Sequence, residues 1–594
     1  MNRVLRALWL IISTSVRVDP LRSLLCLAES VGVLMSVLQP LFLAWIINGA
    51  IHRDPREVLG GAAALLASVA ADKALCMIGV NARIRQLELV SHVFQAQVAE
   101  VTARIPTLDH LESPQYLDQS QLLRERSGTL GVALNTLLNA LNDVIRVAGT
   151  LLLAASADRR ALLVAAAGLP LLLATRWFVV WQARAEAESA QPARLTNHLL
   201  RLGISDSAGA EIRVFGSAEL LRRRLHQAST AWRRPFTVLA RRTAVIESVC
   251  NAIYFAVAGI VLLWLVSDVV AGRIPVESFT LALLLVNRIQ AGNQDLLDAA
   301  RKVVDMTRTT MRLLWLRDYE QQAAAIDTAA VPSPNRLTEG IDLDGLGFQY
   351  ATGSSWALKD VSLHLSPGAV VAIVGENGAG KTTLVKLLTG MYRPSAGRIL
   401  VDGIDLAEVD TIDWRNHTTA ALQDYLRPEF TADEAIGFGD LLGDQDQQQI
   451  VGAARRGSAD TIIDRLPHRY RTQLGSDWPE GVDLSGGQWQ RFALARGMMR
   501  EHPLLLVLDE PTAALDAAAE HELFERYAAA ATNSGAAGTI TLLITHRFST
   551  VAAADLIMVL DHGSLREVGS HSELIGQNGH YAELYRLQSR GYKS

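Results

Sequence analysis

The chain has 594 residues and a formal net charge of −5, from 56 Lys+Arg against 61 Asp+Glu. So even a balance excludes bulk nucleic-acid binding, which calls for a basic face or tail, and an apolar content of 49% excludes a disordered chain. The length allows roughly four ordinary domains, and a mean hydropathy of +0.18 in a chain that is 20% charged describes one greasy half and one water-soluble half. Three cysteines (Cys26, Cys76, Cys250) are too few for a disulfide framework and match no zinc spacing. Lysine is scarce, six residues against fifty arginines, so a lysine at a chemically demanding position carries information.

The N-terminus combines basic residues with a short apolar stretch, Ala7 to Ser15, and no small-residue cleavage pattern follows; it reads as an interface-lying segment leading into a membrane helix. Two runs, Ser30–Ile51 and Ser248–Ser267, carry no charge and meet the span requirement of about 20 residues. Four others are interrupted: Leu59–Ala71 by Asp72-Lys73, Ala161–Thr175 by Arg176, Phe279–Val286 by Asn287-Arg288, and Val147–Ala157 is short. Helices that line a watery cavity carry such interruptions. The expectation is an all-α domain over residues 1–328 with six spans near 22–50, 58–82, 129–157, 159–182, 244–270 and 276–300. Arginines crowd residues 176–242 and are sparse in the short connectors, so both chain ends are expected on the cytosolic side of the cell (inner or plasma) membrane; Asp158-Arg159-Arg160 mildly violates the rule. Two polar stripes recur at helical spacing: Asn135, Asn139, Asn142 and Arg146, then Asn287, Gln290, Gln294 and Asp298. They face either a polar interior or the water around helix extensions.

A linker at 329–340, with two prolines and polar residues, ends the greasy half. Beyond it, over 341–594, β-branched strands alternate with helices (VVAIV, LLLVLD, TITLLIT, LIMVL), which predicts an α/β domain with a largely parallel sheet.

Val370–Val374 runs directly into Gly375-Glu376-Asn377-Gly378-Ala379-Gly380-Lys381-Thr382-Thr383. This is a G-x-x-x-x-G-K-[ST] phosphate loop in the setting it requires, strand before and helix after. Its glycines let backbone N–H groups curl around phosphates, and the helix N-terminus adds positive potential. Lys381 is placed to reach the β/γ-phosphates of ATP and Thr382 to ligate Mg²⁺. A second strand, Leu504–Leu508, delivers Asp509 as the Mg²⁺-side acid, and Glu510 is placed to polarise an attacking water.

The remaining motifs resemble those of ATP-binding-cassette proteins. Leu484-Ser485-Gly486-Gly487-Gln488 is similar to the family signature, and Asp509-Glu510-Pro511-Thr512 followed by Ala513-Ala514-Leu515-Asp516 resembles its Walker B and D-loop. The resemblance makes Gln423 the Q-loop glutamine at the metal and the attacking water, His546 the switch histidine, and Tyr350 the aromatic that stacks on adenine. It also implies that Ser485 and Gly487 meet the ATP held by an opposite subunit, so a dimer is expected, of this chain with itself or with a related half-transporter. The helical half resembles that of exporter-type half-transporters, with Leu111–Asp118 like the first intracellular loop and Glu211–Gly216 like the second, whose coupling helix docks on an ATPase domain. The segment before the signature, Gly475-Ser476-Asp477-Trp478-Pro479-Glu480-Gly481, departs from the T-x-V-G-E-x-G of many exporters.

The fold class is therefore an all-α six-helix transmembrane domain followed by an α/β P-loop NTPase domain. The expected function is ATP-driven export across the bilayer by a dimer using alternating access, with drug, lipid and peptide substrates all open. The alternatives are an importer with an exporter-like fold and a non-transport ABC ATPase; the apolar spans count against the second.

Overall fold

The computed structural model describes residues 3–204, 206–326, 331–351, 353, 355–441, 446–510, 538–545 and 548–591. Its contacts divide the chain into two compact units, Met1–Glu100 with Ser120–Leu316 and Val101–Gln119 with Arg317–Ser594. The described part of the first unit is built from helices α1 (Arg3–Val18), α2 (Pro20–Leu25), α3 (Ala28–His52), α4 (Pro55–Ala103), α5 (Asp109–Glu112), α6 (Pro114–Glu125), α7 (Ser127–Gly131), α8 (Ala133–Ala157), α9 (Ala161–Ala166), α10 (Leu169–Ile204), α11 (Asp206–Val214), α12 (Ala218–Val270) and α13 (Val276–Ile326), of which α5 and the ends of α4, α6 and α13 belong to the second unit.

Local chemistry sets the helix ends. The Asp19 carboxylate accepts the Arg22 N–H at 2.9 Å, and Pro20 occupies the first turn of α2. Arg53 ends α3 in the left-handed region, φ 53°. Helices α3 and α4 then pack closely because glycines of α4 leave room for larger residues of α3: a Cβ on Gly61 would lie 2.9 Å from Ile46 Cγ1, and one on Gly79 would lie 2.8 Å from Glu29 Cβ.

Among the described residues five helical stretches are long and apolar enough to cross a membrane: Pro20–His52, Pro55–Ala103, Ala133–Ser156, Leu162–Ile204 and Ala218–Val270. Helix α13 falls outside that group because Asn287, Arg288, Gln290, Gln294 and Asp295 interrupt its apolar N-terminal part.

Several polar side chains inside this unit find partners on other helices, as a low-dielectric interior favours. Arg83 meets Glu29 at 2.6 Å and donates to Asn139, and Ser30 Oγ donates to the buried Asn142 at 2.6 Å. Arg146 reaches Asp295 at 3.1 Å, and Arg288 donates to the Ser36 carbonyl at 2.7 Å. The first polar stripe thus spends Asn139, Asn142 and Arg146 on neighbouring helices. On the second, Asn287, Gln294 and Asp298 are exposed and Gln290 is half-buried.

The second unit contains two sheets. Strands β1 (Ile341–Phe348), β2 (Leu358–Leu365), β4 (Ala396–Val401) and β5 (Ile404–Asp405) form an antiparallel sheet in the order β2-β1-β4-β5, which sequence patterning did not anticipate. Strands β3 (Val370–Val374), β6 (Thr418–Ala421), β7 (Leu505–Asp509), β8 (Ile540–Ile544), β9 (Leu556–Asp561) and β10 (Ser564–Gly569) form the expected sheet, β10-β9-β3-β8-β7-β6, parallel except for β10. Residues on β3, β7 and β8 are almost entirely buried, the continuous apolar pattern of central parallel strands. Helix α14 (Lys381–Leu388) follows β3; α15 (Thr411–Asn416) precedes β6. Helices α16 (Ala432–Gly437), α17 (Gln447–Arg456), α18 (Asp460–Ile463) and α19 (Gly486–Gly497) share a second core around Trp489 and Phe492. Part of the predicted linker pairs with this unit: Val331 forms a bridge to Val409, and the Ser333 N–H donates to Asp413 at 2.7 Å.

Asp402, at φ 46° between β4 and β5, ties the entry to β1: its carboxylate accepts the N–H groups of Thr338, Glu339 and Gly340 at 2.8–2.9 Å. Burial would raise this carboxyl, but the amide hydrogen bonds outweigh it and hold it below its ordinary value. The stability it contributes is present above the unfolded carboxyl value of about 3.9 and is lost as pH falls through the lower folded value. Asp402→Ala should therefore destabilise this unit by about 2–3 kcal/mol at neutral pH. The check is the thermal unfolding midpoint of the full chain; the gap between variant and parent should close in strong acid.

Candidate functional site

The loop after β3 and the ends of β7 and β8 converge on a cavity of about 290 Å³, lined among others by Tyr350, Asn377, Lys381, Thr383, Asp509 and Glu510. It lies outside the carboxyl ends of the parallel strands, where open α/β sheets bind ligands. Ala379, Gly380 and Thr382 also line it. Glycine is required at Gly375, where a Cβ would sit 2.3 Å from the Leu560 carbonyl oxygen, and at Gly380, φ 102°, where it would meet the Ala357 carbonyl at 2.7 Å. The loop thereby turns into the N-terminus of α14, a natural anion seat.

Lys381 is 8% exposed and donates from Nζ to the carbonyls of Gly375 at 2.7 Å and Glu376 at 2.9 Å. These bonds fold the ammonium back over its own loop. Burial pushes its pKa below the ordinary lysine value, with Glu510 and Asp509 pulling the other way. The exposed Thr382 and the buried Thr383 point to different tasks: Thr382 opens to the cavity, and Thr383 Oγ1 bonds Tyr350 Oη at 2.9 Å. The Tyr350 ring meets Phe348 and Tyr392 edge-on at 4.9 and 5.7 Å between centroids, so its orientation is set by packing and by the phosphate loop.

Across the cavity, Asp509 is 5% exposed and its carboxyl is pushed up to about 6, by burial first and the adjacent Glu510 second, against the pull of Lys381. Glu510 has φ 48°, a conformation that costs a residue with a Cβ about 1–2 kcal/mol. Its N–H donates to the Ile544 carbonyl at 2.9 Å, and its own carbonyl accepts from Gln490 Nε2 at 2.8 Å. Gln423 also lines the cavity and donates from Nε2 to Glu510 Oε2 at 3.4 Å. Gln490 went unremarked in the sequence because its spacing from the signature carries no motif; its signal is the contact it makes.

Ser485, Gly486, Gly487 and Gln488 do not join this cluster. They begin α19, where the Ser485 N–H donates to Gln488 Oε1 at 2.8 Å and Ser485 Oγ accepts the Gln488 N–H at 3.4 Å, a capping box. Tyr425 Oη donates to the Gly486 carbonyl at 2.8 Å. His546 and Asp516 lie outside the described residues. The divergent segment 475–481 is anchored by Trp478, whose Nε1 donates to Glu429 Oε2 at 3.0 Å.

The segment Leu111–Asp118 is part of the second unit. The Leu108 N–H donates to the Met391 carbonyl at 2.9 Å, Tyr392 bonds Glu112, and Arg415 bonds the carbonyls of Pro106 and Gly390. The second-loop residues Val214 and Phe215 are 80% and 75% exposed.

Residues 358–513 match the family described as ABC transporter. A curated relative from Alcanivorax borkumensis, named ATP-dependent lipid A-core flippase, is 32% identical over 386 residues, covering 65% of this chain and 64% of its own. A Pseudomonas aeruginosa protein of the same name is 38% identical over 271 residues, covering 45% of this chain and 43% of its own. The matches thus span less than two thirds of these relatives' length. In fold, the chain is similar over 96% of its length to a bacterial Atm1-family ABC exporter solved with ATP bound, at TM-score 0.72, 24% identity and 99% of that chain covered.

One prediction follows from the crowded carboxylates. A folded-state value near 6 lies above the unfolded value of about 3.9, so the penalty for ionising Asp509 grows as pH rises between them and is complete above 6. Asp509→Asn should stabilise the nucleotide-free chain by about 2–3 kcal/mol at pH 7.5 and by little at pH 4. Unfolding midpoints of parent and variant at both pH values check this; equal midpoints at pH 7.5 would show that the pair is not strained.

Proposed function

We propose that the chain is a half-transporter of the ABC transporter family, a membrane-type helical domain fused ahead of an ABC ATPase domain, and that it exports an amphipathic lipid across the cell membrane at the expense of ATP. The observation that carries the reading is the cavity that gathers Lys381, Thr382, Asp509 and Glu510, in a chain whose described residues also include five long apolar helices. The flippase name of the relatives at 32% and 38% identity favours lipid over drug or peptide. An importer with an exporter-like fold predicts the opposite direction of movement; a non-transport ABC ATPase has no use for the apolar helices.

The residues take these roles. The N–H groups of the loop from Gly375 to Thr383 and the Lys381 ammonium bind the β- and γ-phosphates, Lys381 exchanging its two carbonyl partners for phosphate oxygens. Tyr350, held by Thr383 and its aromatic neighbours, stacks on the base. Asp509, the Thr382 hydroxyl and the Gln423 side-chain oxygen suit Mg²⁺: all are oxygen donors at the cavity, and a buried carboxylate destabilised by its neighbour gains most from a cation. Mg²⁺ keeps several water and phosphate oxygens as ligands, so one or two protein oxygens suffice to hold it. When bound, Mg²⁺ neutralises charge on the β/γ-phosphate oxygens. Glu510 accepts a hydrogen bond from the attacking water and orients it, with Gln423 holding the carboxylate in place. His546 is assigned to the γ-phosphate and Asp516 to the subunit junction on motif resemblance alone.

Ser485–Gln488 do not line the cavity of their own chain, so the signature acts on the ATP of a second subunit, and the functional unit is a dimer. We favour the homodimer because every motif is present in this one chain. The exposed Val214 and Phe215 are apolar surface that a partner's ATPase domain covers. A sixth, polar span in α13 and the arginine distribution support a cytosolic N-terminus and ATPase domain.

Glu510→Gln should lower steady-state hydrolysis by about 100-fold or more while ATP binding persists, because the amide keeps the shape and loses the charge that orients water. Lys381→Ala should instead weaken nucleotide binding itself by about tenfold or more. Hydrolysis rate and bound nucleotide, measured on the same samples, separate the two; parental turnover in Glu510→Gln ends the assignment. For the pathway, single cysteines at Asn287 and Gln290 should react with a hydrophilic thiol reagent without nucleotide and change reactivity on ATP trapping. Low labelling in both states means that this part of α13 lines no path. Proteoliposomes with fluorescent lipid test direction: ATP-dependent movement toward the ATPase side refutes export.

A further inference from the structure

Helix α19 meets the ATP site through its side as well as through the signature at its tip. Gln490, half-buried on the second turn, donates from Nε2 to the main-chain carbonyl of Glu510 at 2.8 Å. Gly486 and Gln490 are four residues apart and so share one face of the helix. On that face Tyr425 Oη donates to the Gly486 carbonyl at 2.8 Å. Tyr425 stands two residues after Gln423, whose Nε2 donates to Glu510 Oε2 at 3.4 Å. These contacts close a ring that runs from Gln423 through Glu510, Gln490 and Gly486 to Tyr425.

The ring bears on Glu510 because its backbone needs holding. Strand β7 pairs with β8 up to Asp509 opposite Ile544, and the Glu510 N–H adds one more bond to the Ile544 carbonyl at 2.9 Å. At the Glu510 Cα the chain leaves the strand with φ 48°, a conformation that a side chain with a Cβ disfavours. Such a residue persists only where its surroundings over-determine it. Here the sheet fixes the N–H on one side of Cα, and Gln490 fixes the carbonyl on the other. Together they set the direction of the Cα–Cβ bond and thus where the carboxylate points.

Gln490 can serve as a fixed point because α19 is firmly seated. Its neighbours Trp489 and Phe492 are buried in the core shared with α16, α17 and α18. At the helix end Thr419 Oγ1, on β6, donates to the Gly497 carbonyl at 2.8 Å. Arg496 donates to the carbonyls of Ala435 at 3.0 Å and Leu426 at 3.1 Å, which ties the segment after Gln423 to the same helix.

We infer that Gln490 is a positioning residue for ATP hydrolysis: its amide holds the Glu510 peptide so that the carboxylate faces the attacking water, while Gln423 restrains the carboxylate itself. The inference rests on the reading of Glu510 as the group that orients water. Gln490 acts through the main chain of Glu510 and not on the nucleotide, so it contributes to turnover and not to ATP binding.

The test measures ATP hydrolysis and ATP binding by the purified full chain carrying Q490L, Q490E or Q490K, and Q490L combined with E510Q. Q490L removes the donor at similar size, Q490E sets a carboxylate against the carbonyl, and Q490K restores a donor. Misplacing a reacting group by an ångström costs about 100-fold, and with the sheet still holding the N–H a loss of about tenfold in kcat is expected for Q490L and Q490E. ATP affinity should change less than about twofold in both, and Q490K should keep kcat within about threefold of the parent. In single-turnover hydrolysis of radiolabelled ATP, adding Q490L to E510Q should cost nothing further, because the residue acts only through that carboxylate. If Q490L does not fold, Q490E takes its place in each comparison. Parental kcat in Q490L and Q490E, an equal loss in Q490K, affinity falling in step with kcat, or a second loss of about tenfold in E510Q overturns the proposal. Parental turnover in E510Q alone would instead remove the role of Glu510 itself, so the two failures are told apart.

Discussion

Charge held out of water at the carboxyl ends of β3 and β7 is the constraint around which the ATPase unit is arranged. Lys381 and Asp509 are both nearly buried, and Glu510 sits between the sheet and the cavity. Lys381 donates to two carbonyls of its own loop, and burial makes Asp509 resist ionisation. Burying such groups is costly unless partners are supplied. The glycine backbone at Gly375 and Gly380, the central strands with their continuous apolar burial and the contacts of Gln423 and Gln490 around Glu510 keep these groups in place. Such an arrangement favours a polyanion beside Lys381 and a cation beside Asp509.

The same accounting governs the helical unit with another outcome. There most buried or half-buried charges are satisfied internally, as in Arg83 with Glu29 and Asn139, and Asp268 with Arg160 and Arg273. Specific pairs of this kind tie particular helices to particular partners, α3 to α4 and α8, while glycines at 61 and 79 permit the approach.

The parallel sheet and the phosphate loop were legible in the sequence because their determinants are local: a short apolar strand, a glycine pattern and a helix start within a few residues. Asp509 and Glu510 were legible for the same reason. The antiparallel sheet was not, because β1 is irregular, its register shifting between Leu343 and Leu346 and again before Phe348, which blurs the alternation that would announce it. Gln490 and Tyr425 escaped notice since their importance lies in long-range contacts with Glu510 and Gly486. The polar stripe on α8 was legible as a stripe, but whether it faced water or other helices depended on Glu29, Ser30 and Arg83, far away in sequence. The docking of residues 106–112 beside Met391, Tyr392 and Arg415 likewise depends on tertiary proximity that no spacing encodes.

The left-handed backbone at Glu510 bears on how this chain tolerates change over time. Glycine, asparagine or aspartate would occupy that conformation more comfortably than glutamate, so folding stability alone would push drift at position 510 toward them. Each would shorten or delete the carboxylate that reaches Gln423. Glutamate at 510 therefore sits against its own conformational preference, whereas a chain with a smaller residue there would be easier to fold and poorer at orienting water. The residue at this single position is therefore a record of whether hydrolysis is still under selection.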